Sequence, residues 1–439
     1  MFGTSGIRGP VGETVTASLA LSVGRALGVD AERVVVGRDA RESGKPLLDA
    51  LAAGLCESGV DVVDLGPAAT PTVARAVGWE DADAGAVVTA SHNPPADNGL
   101  KLWQPSGQAF DEARRTRIEQ LLADEEAALA SWDAIGSRTH RDGVSRHRQA
   151  ITEAVSLSKP LSVVVDVGNG PDSITADALD TLGCHVRTLN AQPDGSFPGR
   201  PSEPTAENCG SLSTLVAHSD ADLGVAHDGD ADRMRAVTGD GEFLPGDVLL
   251  AILARDAAEA GDAVAVPVDT SLAVEDHLAG ADIETVRTPV GDVYVAEAAS
   301  EAGVAFGGEP SGAWVWPDST LCPDGPLAAC KLAALAATRP LAARAAGIET
   351  YPIRRSSIDT PDKTQAMSGI RDRVGQRYSD VSTLDGVRVD LTDGWFLIRA
   401  SGTQPLIRIT AEARDPRRAD ELFAEAEKMV TAETGNSAA

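Results

Sequence analysis

Short β-branched runs alternate along this chain with Gly- or Asp-rich turns and Ala-rich amphipathic stretches. Arg33–Gly37 precedes a helix-like stretch from Gly44 to Ser58, and Asp61–Leu65 precedes Thr70–Val77, with Gly85–Thr89 next. The pattern restarts at Ser162–Val167, which leads through GNGPDS into Ile174–Leu182; His185–Leu189 and Ala221–Ala226 are further strand candidates. It restarts again at Ala263–Val268, followed by Glu284–Arg287 and Ala302–Phe306. Strands separated by helical patterns of about 10–15 residues are the mark of βαβ units and covered, mostly parallel sheets. The expectation is an α/β protein with three doubly wound mixed/parallel α/β units.

The last quarter has a different rhythm. Thr383–Leu391, Trp395–Ala400 and Leu406–Ala413 are alternating runs set close together, followed by a helical Pro416–Thr431. That spacing predicts a C-terminal antiparallel α+β unit. The expected divisions are 1–147, 148–248, 249–351 and 352–439.

At 439 residues the chain is too long for one ordinary core, which agrees with several units. It has no uncharged apolar stretch of membrane-spanning length and no basic flank or apolar segment at MFGTSGIRG, so a cytoplasmic protein is expected. The five cysteines form no CxxC pair and the seven histidines no HxxxH pair, which suits reduced thiols and argues against a zinc grid. A net charge of −28, spread along the chain, repels nucleic acid and anionic membranes; neither is an expected partner. The same charge suggests a protein that works at high salt, where screening removes self-repulsion.

Only six lysines remain in this acidic background, so each is informative. One is Lys101, in GAVVTASHNPPADNGLKLW, where Ser91 sits at the end of an apolar run beside His92. Alone, this segment is equally a polar turn or a nucleophile's loop.

Other strings narrow the choice. Asp228, Asp230 and Asp232 alternate in DGDADR after an apolar stretch, the arrangement that converges carboxylates on one hard cation. An EF-hand loop is excluded because Gly239 stands where a bidentate Glu would be needed. Gly307–Gly312 (GGEPSG) offers Glu309 and Ser311 to sugar hydroxyls, though an ordinary turn fits equally well. Arg399-Ala400-Ser401-Gly402-Thr403-Gln404-Pro405, with Arg408 beyond, supplies the donors that a phosphate needs, though a hairpin turn with a surface Arg fits equally well; the N-terminal segment with Arg8 offers the same residue types or a flexible strand.

TASHNP with NGLK after it, DGDADR, GEPSG and RASGTQP, in this order, resemble the α-D-phosphohexomutases along essentially the whole chain. The resemblance implies four domains around a central cleft, and interconversion of hexose 6-phosphate and hexose 1-phosphate. It implies Ser91 as a phosphoserine, with Asp228, Asp230, Asp232 and the Ser91 phosphate holding Mg²⁺. Lys101, Arg8 and His92 then serve acid/base and charge-stabilising roles, and Arg233 lies against the metal loop on the substrate side. Glu309 and Ser311 read the sugar, and Arg399, Ser401, Gly402 and Thr403 clamp the non-reacting phosphate. A hexose 1,6-bisphosphate is the implied intermediate and activator, a sugar phosphate the implied partner, and a monomer or homodimer the implied assembly. Val290-Gly291-Asp292 and GEPSG lean towards the amino-sugar members, with glucose- and mannose-phosphate members as alternatives. A non-catalytic sugar-phosphate binder and a phosphatase using Asp228 are the remote ones.

Overall fold

Val34, Val35 and Val36 are fully buried, and so are Val87 and Val88 two strands of sequence later. Each such side chain contributes about 1.5 kcal/mol or more by leaving water, which is why these runs form interior strands. In the computed structural model, which describes residues 3, 6–124, 129–402 and 404–435, they are central in a six-stranded sheet. Arg33–Arg38 runs parallel to both Asp61–Pro67 and Ala84–Val88, and Arg138–His140 extends the parallel part beyond Asp61–Pro67. Asp97–Trp103 and then Ile7–Pro10 add antiparallel strands on the other side.

The second sheet has the order Met234–Thr238, Leu223–His227, Ser162–Asp166, His185–Leu189, and the third the order Glu284–Thr288, Ala263–Pro267, Val304–Gly308, Trp314–Val315. Each carries one antiparallel edge on an otherwise parallel sheet. The fourth sheet is antiparallel throughout, with the order Ile353–Asp359, Leu406–Ala413, Gly394–Ala400, Val387–Leu391, Val381–Ser382. Helices Lys363–Arg377 and Pro416–Thr434 cover its apolar face through Ile370, Val374, Leu422 and Val430.

Three α/β units and a C-terminal α+β unit are therefore present, as the period of the pattern predicted. The details differ in places. Asp97–Trp103 is a strand that the sequence reading left unassigned, because its apolar positions are diluted by Asn98, Gly99 and Lys101. The run from Thr383 is split, since Gly386 at φ 85° makes a turn and the strand begins only at Val387. The expected divisions at 147/148 and 248/249 fall inside helices Gly143–Ala154 and Gly246–Ala257. The second of these helices buries Leu249 and Leu253 in one core with Val163, Val225, Val264 and Phe306. The division at 351/352 lies in the loop before Ile353. Among the described residues, no helix is long and apolar enough to cross a membrane.

Candidate active site

Ser91 leaves the end of strand Ala84–Val88 with φ 52°, a left-handed conformation that costs a non-glycine residue about 1 kcal/mol or more. The turn is held because the Ser91 N–H donates to Thr89 Oγ1 at 2.8 Å. It aims the hydroxyl across the unit boundary, where Ser91 Oγ donates to Asp228 Oδ2 at 2.7 Å. Glycine is required at 229, since a Cβ there would meet the Ser91 carbonyl oxygen at 2.6 Å.

Asp228, Asp230 and Asp232 are buried, and one carboxylate oxygen from each falls within 4.8 Å of the others. Ala231 at φ 56° bends the loop so that alternate residues converge. Asp230 Oδ2 accepts from Thr70 Oγ1 at 2.6 Å and from Lys101 Nζ at 2.8 Å, and Lys101 also donates to Asp232. Arg233 N donates to Asp228 Oδ1 at 3.1 Å.

The electrostatics follow from this crowding. Burial and the neighbouring Asp232 and Asp230 push the Asp228 carboxyl well above its ordinary range. Burial opposes ionisation of Asp230 as well, but Lys101 outweighs it and holds that carboxyl low. Lys101 is itself held above its usual value, because Asp230 and Asp232 outweigh its desolvation. Asp230 Oδ1 and Asp232 Oδ1 are buried with no hydrogen-bond partner. Mutually repelling carboxylates with two orphaned oxygens are a donor set that fits a hard divalent cation.

His92 Nδ1 lies 3.3 Å from Ser91 Oγ. Burial, with Arg233, Arg8 and Lys101 nearby, pushes its imidazole down to about 2. The ring is thus within hydrogen-bonding reach of the serine hydroxyl, the position the sequence reading gave it. Arg8 projects from Ile7–Pro10 opposite Gly99, its Nε buried without a partner.

The sugar-loop candidates are joined to this centre through backbone. Met234 N donates to the Gly312 carbonyl at 2.9 Å, and Arg233 bridges Ala313. Glu309 Oε1 accepts from Gly291 N at 2.7 Å, and Glu309 Oε2 accepts from Ser311 Oγ at 3.0 Å. Burial, reinforced by Asp292, raises the Glu309 carboxyl to about 7.

Asp385 links the next loop. Its Oδ2 accepts from Val290 N at 3.1 Å and from Arg399 Nη1 at 3.4 Å, which sets Arg399 beside the segment that contacts Glu309. Ser401 is buried, and its Oγ accepts from Gln404 N at 3.2 Å; Gly402 is exposed, and Thr403 lies outside the described residues. Arg399 and Arg408 are directly paired across two strands, and with Arg355 and Asp269 they line a cavity of about 340 Å³. Like charges opposed in a sheet are destabilising without an anion between them.

The sequence reading missed Thr89, Asp39 and Arg41, buried around the Ser91 loop, and Thr70, buried against Asp230. Asp39 and Arg41 lie in RDAR, one residue beyond the apolar run Val34–Val36, a charged string whose residue types name no chemistry of their own.

Models of the phosphoglucomutase/phosphomannomutase domains match in chain order: α/β/α domain I over 1–129, domain II over 145–241, domain III over 245–351 and the C-terminal domain over 355–429. A probable phosphoglucosamine mutase of Methanopyrus kandleri is 46% identical over 96% of this chain and 95% of its own. The chain belongs to the α-D-phosphohexomutase family. Another probable phosphoglucosamine mutase, from Methanosarcina acetivorans, is 44% identical over 98% of both chains. A crystal structure of a phosphoglucomutase/phosphomannomutase family protein from Burkholderia thailandensis superposes with a TM-score of 0.88 at 28% identity, covering 100% of both chains. This phosphohexomutase is accordingly an isomerase, and its four units are the family's four domains.

Proposed function

We propose that this phosphohexomutase interconverts glucosamine 6-phosphate and glucosamine 1-phosphate, with Ser91 as the phosphoryl carrier. The observation that carries the reading is the Ser91 hydroxyl resting on Asp228 inside the buried acidic triplet. The names of the relatives at 46% and 44% identity support the amino sugar over glucose or mannose phosphates.

In this reading Asp228, Asp230 and Asp232, with an oxygen of the Ser91 phosphate, hold Mg²⁺. When bound, the ion neutralises charge on the phosphoryl oxygens. The reaction breaks the P–Oγ bond of phosphoserine and forms a P–O bond to the free sugar hydroxyl, whose proton leaves to a base in the cleft. The hexose 1,6-bisphosphate then returns its other phosphoryl group to Ser91, and a proton goes to the sugar oxygen released. Lys101 and Arg8 supply positive charge beside Ser91, and Arg233 fixes Asp228 through its backbone. Glu309 and Ser311 accept and donate to sugar hydroxyls. Arg399, Ser401, Gly402 and Thr403, with Arg408, grip the phosphate that does not react, which relieves the Arg399–Arg408 repulsion.

A side-by-side kcat/KM measurement on glucosamine, glucose and mannose 6-phosphates tests the substrate. The amino sugar is expected to be turned over best; a preference for either neutral sugar would move the enzyme to another branch of its family.

A further inference from the structure

Arg41 is 1% exposed, and no step of the proposed reaction uses it. Its Nε donates to Asp39 Oδ2 at 3.0 Å. Nη1 donates to the carbonyls of Pro94 at 2.6 Å and Asp97 at 2.9 Å, and Nη2 to those of Ser91 at 2.9 Å and Asn93 at 2.7 Å. A guanidinium has five N–H donors in a rigid fork. All five are used here, three of them on the loop that presents Ser91 and one on Asp97, where the next strand begins.

The grip is two-sided. Asp39 Oδ2 also accepts from Thr89 Oγ1 at 2.7 Å, and Thr89 Oγ1 in turn accepts the Ser91 N–H at 2.8 Å. Ser91 is thus held at its N–H through Thr89 and Asp39, and at its carbonyl by Arg41. Those two contacts bracket the φ of 52° that turns the hydroxyl towards Asp228.

The second domain closes over this assembly. Gly195 packs so tightly that a Cβ there would lie 2.4 Å from Arg41 Cα. The Phe197 ring centre sits 5.0 Å from Arg41 Cζ, and the same ring would lie 3.2 Å from a Cβ on Gly229 of the metal loop. Ser202 Oγ donates to the Asn93 carbonyl at 3.0 Å. The aromatic ring is therefore wedged between the arginine that shapes the serine loop and the backbone of the acidic loop.

We propose that Arg41 is a positioning residue and that, with Phe197 as its cover, it sets the separation of Ser91 from the acidic triplet. It acts through Ser91 and touches no substrate, so it governs the transfer step and leaves sugar-phosphate affinity alone. A phosphoryl transfer depends on placement more than on new covalent chemistry.

The proposal rests on the reading of Ser91 as phosphoryl carrier, and the test separates the two. With the Mg²⁺-loaded enzyme, Arg41→Lys is expected to lower kcat about a hundredfold, the cost of a displacement near 1 Å, with KM unchanged. In Arg41→Gly, added guanidinium should restore part of kcat and methylammonium should not, because only the planar fork matches the four carbonyls. Phe197→Leu keeps the apolar volume and should lower kcat with KM unchanged, and it decides the matter if the Arg41 variants do not fold. Parental kcat in these variants, a loss confined to KM, or no recovery with guanidinium overturns the brace. Turnover surviving Ser91→Ala would instead overturn the carrier itself.

Discussion

Ser91 and Asp228 are 137 positions apart and belong to different sheets, yet the serine hydroxyl donates to the aspartate over 2.7 Å. Neither residue alone distinguishes a carrier from a turn. Together they place a hydroxyl on a carboxylate that burial and two further aspartates make a poor anion. Ser91→Ala is expected to reduce mutase turnover to background while sugar-phosphate binding, followed by calorimetry, stays near the parent value.

The orphaned oxygens of Asp230 and Asp232 give a metal prediction. Chelation should abolish activity and Mg²⁺ restore it. Mg²⁺ at about 100 times its Kd should also stabilise the parent by about 2.7 kcal/mol, seen as a rise in Tm. Asp230→Asn should lose most of that rise; an equal shift in both proteins would remove the triplet from the metal site.

Glu309 supplies a pH dependence. Its folded carboxyl is raised from 4.5 to about 7, so the native state binds this proton more tightly than the unfolded chain. The stability it contributes is complete below 4.5 and is lost as pH rises through about 7. Tm should decline across that window in the parent and decline less in Glu309→Gln. Activity should run the other way, since the carboxylate that accepts sugar hydroxyls forms as pH rises through about 7. Superimposable Tm–pH curves for the two proteins would contradict this.

The first three domains meet at Asp324. Its Oδ2 accepts from Arg75 Nε at 2.7 Å and lies 2.9 Å from His147 Nε2, while His147 Nδ1 lies 2.9 Å from Thr72 Oγ1. Burial would raise the Asp324 carboxyl, but His147 and Arg75 outweigh it and hold the group low. Its contribution is therefore present above the unfolded value of 3.8 and is lost as pH falls. Asp324→Ala leaves buried partners uncompensated and should cost about 3–5 kcal/mol in denaturant unfolding. A cost near zero would show that the domains are held elsewhere.

The legible and illegible parts of the site differ in a physical way. Ser91, the acidic triplet, Glu309 and Arg399 each sit in a short string whose residue types already carry the chemistry. Strand periods likewise exposed the α/β units, because fully buried strands such as Val34–Val36 are continuous apolar runs. Arg41 was hidden because, Asp39 aside, its acceptors are backbone carbonyls 50 to 56 positions away, and carbonyls leave no trace in a sequence. Strand Asp97–Trp103 was hidden because Asn98 and Lys101 interrupt its apolar positions, yet both are buried, Lys101 paired with carboxylates from another domain.

The central claim, that Ser91 lends and recovers a phosphoryl group, is tested most directly by labelling. Enzyme carrying radiolabelled phosphate on Ser91 is mixed with glucosamine 6-phosphate, and the label is followed through one turnover. The account predicts that label leaves Ser91 for a sugar bisphosphate and that Ser91 is rephosphorylated, with little inorganic phosphate released. Release of the label as inorganic phosphate, or a phosphoryl group trapped on Asp228 in place of Ser91, would contradict it.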